Sequence, residues 1–124
     1  MSDLTEKIIV FRVVPQANTN TRIQFRLPGN IMQITGWYAS LIADMMQNYT
    51  GFLTLNFSNG LSKPVQMQKI EQMYRMPKRH TLFNPLCESV CRNSSVTGFF
   101  RDASTIPTVN YTLTVYLKCL VNNS

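Results

Sequence analysis

The stretch from Val109 to Val121 most constrains what this chain can become. Val109, Tyr111, Leu113, Val115, Leu117, Cys119 and Val121 occupy every second position. Asn110, Thr112, Thr114, Tyr116 and Lys118 fill the gaps, with Leu120 the one apolar exception. Successive side chains of a strand point to opposite faces, so the pattern predicts one dry and one wetter face. Val, Thr and Tyr also suit a pleated, half-buried surface. At about 3.3 Å per residue the stretch reaches roughly 40 Å, long for a strand. Such a strand belongs in the middle of an antiparallel sheet.

The rest of the chain offers it sheet neighbours. Lys7 to Val14 reads as a strand stopped by Pro15, after a loose lead-in over Met1 to Glu6. Thr21 to Leu27 alternates, with Ile23, Phe25 and Leu27 on one face and Arg22, Gln24 and Arg26 on the other. It reads as an edge strand kept soluble by charge. Ile31 to Ala39 is a further strand carrying Trp37 and Tyr38. Trp37, Leu41 and Met45, with Tyr38 and Ile42, also repeat at helical spacing, which leaves a helix over Gly36 to Gln47 open. Gly51 to Phe57 is strand-like and runs into Asn59-Gly60, a hairpin signal. Leu61 to Met76 fits a strand around Val65, Met67 and Lys69, or a turn or two of helix around Met67, Ile70 and Tyr74. Thr81 to Leu86 is short and broken by Asn84-Pro85, Ser95 to Arg101 is another strand, and Asn122 to Ser124 is a polar tail. About eight short strands separated by Pro, Gly and Asn predict one all-β domain over residues 1–124, an antiparallel two-sheet sandwich of jelly-roll type.

Twelve basic residues, counting Lys and Arg, against six acidic ones leave a net charge of +6, which favours anionic partners. The basic residues are scattered, and only Lys78-Arg79-His80 clusters, so solubility is their first reading. Arg22, Arg26, Lys78 and Arg79 are the candidates for nucleic-acid contact. Charged residues make up only 15% of the chain, against about a quarter in an ordinary soluble domain. That deficit fits a surface partly covered by partners. The start of the chain lacks the basic and apolar regions of a signal peptide, and no apolar run approaches a membrane span. Synthesis in a cytosol is therefore expected, with the three cysteines reduced.

No catalytic constellation emerges. The acids Asp3, Glu6, Asp44, Glu71, Glu88 and Asp102 are dispersed and read as solvated loop groups. His80 is the single histidine, so a Cys–His nucleophile has one possible base. Cys87, Cys91 and Cys119 with His80 form an unusual zinc spacing, and Cys119 falls on a dry strand face. The expectation is a non-enzyme with no metal and no cofactor. Thr97-Gly98-Phe99-Phe100 departs from the aromatic strand of an RNA-recognition motif, which needs a basic residue before Gly and a small one between the rings. Phe99 and Phe100 are then core or interface. Trp37 and Tyr38 are a core pair or a platform for a ligand, and Met67, Met73 and Met76 can repack against different partners.

From Gly51 to Val121 the chain resembles the single jelly-roll structural proteins of icosahedral viruses, including minor-capsid and vertex (penton) proteins. The features that carry this are Leu55-Asn56-Phe57-Ser58-Asn59-Gly60, Phe83-Asn84-Pro85-Leu86, Gly98-Phe99-Phe100 and the terminal strand. The resemblance implies a virion subunit made in a host cytoplasm, without catalytic residues, that self-associates in a ring or shell with other capsid proteins. Met1 to Glu6 and Asn122 to Ser124 are its candidate arms. A jelly-roll module that binds carbohydrate or a protein, and a basic nucleic-acid-binding β-protein, remain open beside it.

Overall fold

The computed structural model describes residues 4–17, 19–43, 48–57, 62–71, 83–90, 94–105 and 110–122. They form eight strands and, among the described residues, no helix. The strands are β1 (Leu4–Val13), β2 (Asn20–Arg26), β3 (Ile31–Ile42), β4 (Thr50–Phe57), β5 (Ser62–Glu71), β6 (Asn84–Ser89), β7 (Ser95–Asp102) and β8 (Thr112–Asn122). One sheet has the order β1-β8-β3-β6 and the other β2-β7-β4-β5, and every pairing is antiparallel. Each chain step except β4 to β5 crosses from one sheet to the other. That is the strand order of a jelly roll.

β8 lies between β1 and β3, where its length and alternation place it. Tyr111, Leu113, Val115, Leu117, Cys119 and Val121 are all buried against the second sheet. Val109 lies outside the described residues. Opposite them stand Ile23, Leu53, Leu55, Phe57, Val65, Val96 and Phe100, almost wholly enclosed. Phe11 of β1 stacks on Phe25 of β2 at 4.7 Å and closes one side of the sandwich.

Several expectations need correction. β3 continues as a strand through Ile42, so the helical reading fails over the described part of Gly36 to Gln47; residues 44–47 lie outside it. Both faces of its second half are partly covered, because Ala39 and Leu41 enter the core while Ser40 is buried on the other side. Two-sided burial removes the polar alternation that marks a strand. Leu4, Thr5 and Glu6 are no free arm: they pair with Asn122, Val121 and Leu120. Asn122 is likewise in the ladder, and its N–H donates to the Asn30 carbonyl at 2.9 Å. The unsettled region after the hairpin is strand through Glu71, with residues 72–76 outside the description. Pro85 falls inside β6 rather than ending it, which an edge strand tolerates because one row of N–H groups has no ladder partner. β4 and β5 pair from Thr50↔Glu71 to Phe57↔Ser62, as a hairpin through Asn59-Gly60 requires, though the turn itself is not described.

Candidate functional site

The register gathers a set of residues on the outer face of the β2-β7-β4-β5 sheet. Asn20 of β2, Arg101 of β7, Phe52 of β4 and Lys69 of β5 lie side by side in one row. The next row holds Arg22, Phe99 and Thr54, followed by Gln24, Thr97 and Asn56, and then Arg26 with Ser95. Arg22, Arg26, Arg101 and Lys69 are exposed, and Phe52 and Phe99 are half-buried. Glu71, 3.2 Å from Lys69, is the one acid on this face among the described residues. Of the candidates named from sequence, Arg22, Arg26 and Phe99 meet here. Arg101, Phe52 and Lys69 were missed, because only the pairing of strands distant in sequence brings them alongside. Lys78 and Arg79 lie outside the described residues.

Gly98 and Met67 adopt unusual backbone conformations in this sheet. Gly98 has φ +153°, and a Cβ there would overlap the carbonyl oxygen of Thr54 on the adjoining strand. The small residue in Thr97-Gly98-Phe99-Phe100 therefore serves strand packing. Phe100, two residues further on, is core and not a contact residue, which corrects its candidacy. Met67 sits at an irregularity of β5, where Leu53 pairs with Gln68 but Leu55 with Val65. It has φ 48°, and its N–H donates to Thr54 Oγ1 at 3.0 Å. Its side chain is exposed. Met73 and Met76 lie outside the described residues.

The outer face of the other sheet has a different character. Leu4, Ile8 and Ile42 are 52%, 49% and 45% exposed, and Val10, Tyr116, Tyr38 and Leu120 lie half-buried among them. Tyr38 packs on Tyr116 with ring centres 5.9 Å apart. Burial, followed by the neighbouring Tyr116, raises the Tyr38 hydroxyl above its ordinary range. Among the described residues the charges here are Arg12 and the pair Lys118–Glu6, 3.6 Å apart.

Trp37 and Tyr38 do not form a joint platform, since neighbouring strand residues point to opposite faces. Trp37 is 7% exposed and belongs to the core. Its neighbourhood does open into a cleft of about 320 Å³, lined by Trp37, Tyr38, Gln68, Lys69, Glu71 and Asn84 among others. Asn84 Nδ2 donates to the Trp37 carbonyl at 3.4 Å across its end.

Asp102 is no solvated loop acid. It is 2% exposed and accepts a hydrogen bond from the Tyr111 hydroxyl at 2.8 Å and from the Ser104 N–H at 3.3 Å. Ser104 in turn accepts from the Thr50 N–H at 3.0 Å and donates to the Thr50 carbonyl at 3.1 Å. Tyr49 and Phe100 pack on the Tyr111 ring. Burial first, then the bond to Asp102, holds the Tyr111 hydroxyl protonated well above its ordinary range. These groups satisfy one another, so the cluster is a buried brace between β4, β7 and the start of β8.

Cys87 is exposed, with Gln33 Nε2 3.1 Å from its sulfur, whereas Cys119 faces the core. Burial pushes the Cys119 thiol up to about 11. The two cannot share a metal ion. Cys91 and His80 lie outside the described residues. Among the described residues no three His, Cys, Asp or Glu side chains are grouped to hold a metal, and no helix is long and apolar enough to cross a membrane. Comparison with known proteins finds no matching family model, curated protein or solved structure.

Proposed function

We propose that this protein is a non-enzymatic structural subunit of an icosahedral virion, a capsid, vertex or minor-capsid jelly roll that assembles with copies of itself and with other capsid proteins. The observation that carries the reading is the outer face of the β1-β8-β3 sheet. Leu4, Ile8 and Ile42 are exposed there beside Val10, Tyr38, Tyr116 and Leu120, with few charges. Apolar side chains exposed on the outer face of a sheet mark a contact with another protein, and here they surround the Glu6–Lys118 pair. Repeated identical contacts either close into a symmetric assembly or grow into filaments, and a shell is the closed case. The low charge content of the chain has the same cause. On this reading the protein is made in the host cytoplasm and ends in the virion.

Sedimentation of the full chain and of the variants Ile8→Asp and Ile42→Asp tests the reading. A charge placed on an apolar contact loses its hydration without gaining a partner, so both variants should fall to a smaller species while staying folded. Assembly that persists unchanged in both variants would remove this face from the contact.

A further inference from the structure

The face of the β2-β7-β4-β5 sheet is unlike the apolar one opposite it. Cations at Arg22, Arg26, Arg101 and Lys69 surround the half-buried rings of Phe52 and Phe99, with Glu71 the one described acid. We propose that this face binds single-stranded nucleic acid, the cations meeting phosphates and the two rings stacking on bases.

Charge decides the class of partner. A surface with several cations and one acid is complementary to a polyanion, and it releases counterions on binding one. The layout decides the form. Arg22 and Arg26 are four residues apart on β2, so their stems stand about 13 Å apart along the strand. Lys69 lies across the sheet, three strand spacings or about 14 Å from β2. Phe99 follows Arg22 in its row, and Phe52 follows Arg101 in the next. Cations on both edge strands, with Arg101 and the two rings between them, are the elements of a single-strand platform, where every base offers a π-face and sequence matters little. Duplex fits poorly. Its bases are already stacked, and reading them needs a helix or ribbon that enters a groove about 12 Å wide, which a sheet face does not supply.

The test is fluorescence anisotropy of the folded full chain with a labelled oligodeoxythymidine, long enough for more than one site of about 4–16 nucleotides. The same strand in a duplex and vesicles of phosphatidylserine and phosphatidylcholine are the comparison ligands. At about 50 mM salt the single strand should bind at least about tenfold tighter than the duplex. Four cations predict a slope of log affinity against log salt of about −3, and Arg22→Ala with Arg26→Ala should remove about half of it. Phe99→Leu should weaken binding about tenfold with the slope unchanged, because stacking carries no charge. Arg12→Ala, on the opposite face, and the assembly variant Ile8→Asp should bind like the parent. Equal affinity for duplex, preference for the vesicles, an unaffected Phe99→Leu, or no binding at about 50 mM salt would each overturn the proposal.

Discussion

Replacing Gly98 by alanine should cost about as much as truncating a large core side chain. Gly98 pairs with Ile23 on one side and Leu55 on the other, in the middle of its sheet. An added Cβ overlaps the Thr54 carbonyl oxygen and lies 3.2 Å from Leu55 Cα. These are backbone atoms, so no rotamer change relieves the clash. The backbone conformation at φ +153° is nearly closed to an L side chain and costs about 1–3 kcal/mol by itself. Moving β7 away from β4 to make room weakens ladder hydrogen bonds worth about 0.5–1.5 kcal/mol each. Together these predict a loss of about 4 kcal/mol, at the far end of single substitutions. Urea unfolding followed by circular dichroism reads it as a lowered midpoint. Gly29→Ala is the control, since nothing lies within 4 Å of a Cβ at that turn. A Gly98→Ala protein within about 1 kcal/mol of the parent would refute the close approach of β7 to β4.

Three further outcomes follow from packing and charge. Leu117→Ala, at a fully enclosed position of β8, should cost about 2–5 kcal/mol in the same assay, and a loss under about 1 kcal/mol would mean β8 is not the inner strand. The folded state holds Tyr111 protonated above its unfolded value, so its contribution is intact below about pH 10 and is lost as pH rises beyond it. Tyr111→Phe should be less stable at neutral pH but lose stability less steeply in alkali; an unchanged alkaline slope would count against the buried bond to Asp102. Met67→Gly relieves a left-handed methionine, so stability should hold or rise by up to about 1 kcal/mol, whereas a regular strand position would lose about that amount.

What the chain discloses and what it conceals have one physical basis. β8 is legible because one of its faces is fully buried while the other, Thr114 apart, is only partly covered, which prints burial onto alternate letters. The β4–β5 hairpin is legible because its pairing is local and its turn chemistry specific. The second half of β3 hides its strand character because Ser40 and Leu41 are both buried, on opposite faces. The start of β1 hides for the opposite reason. Leu4-Thr5-Glu6 has little burial to display, and its strand state comes from pairing with the far end of β8. Asp102 reads as a solvated acid because its partner Tyr111 is nine residues away and no local pattern announces the bond. The basic aromatic face is the least legible feature. Arg22, Phe99, Phe52 and Lys69 come from four separate strands, and only the sheet order makes them neighbours.

Native mass spectrometry of the unaltered chain at high concentration bears most directly on the shell-building role. A structural subunit with an apolar outer face should give one discrete closed assembly, its mass a fixed multiple of the 14.2 kDa chain and stable on dilution over a defined range. A strict monomer at every concentration, unchanged when other shell proteins are co-expressed, would contradict it.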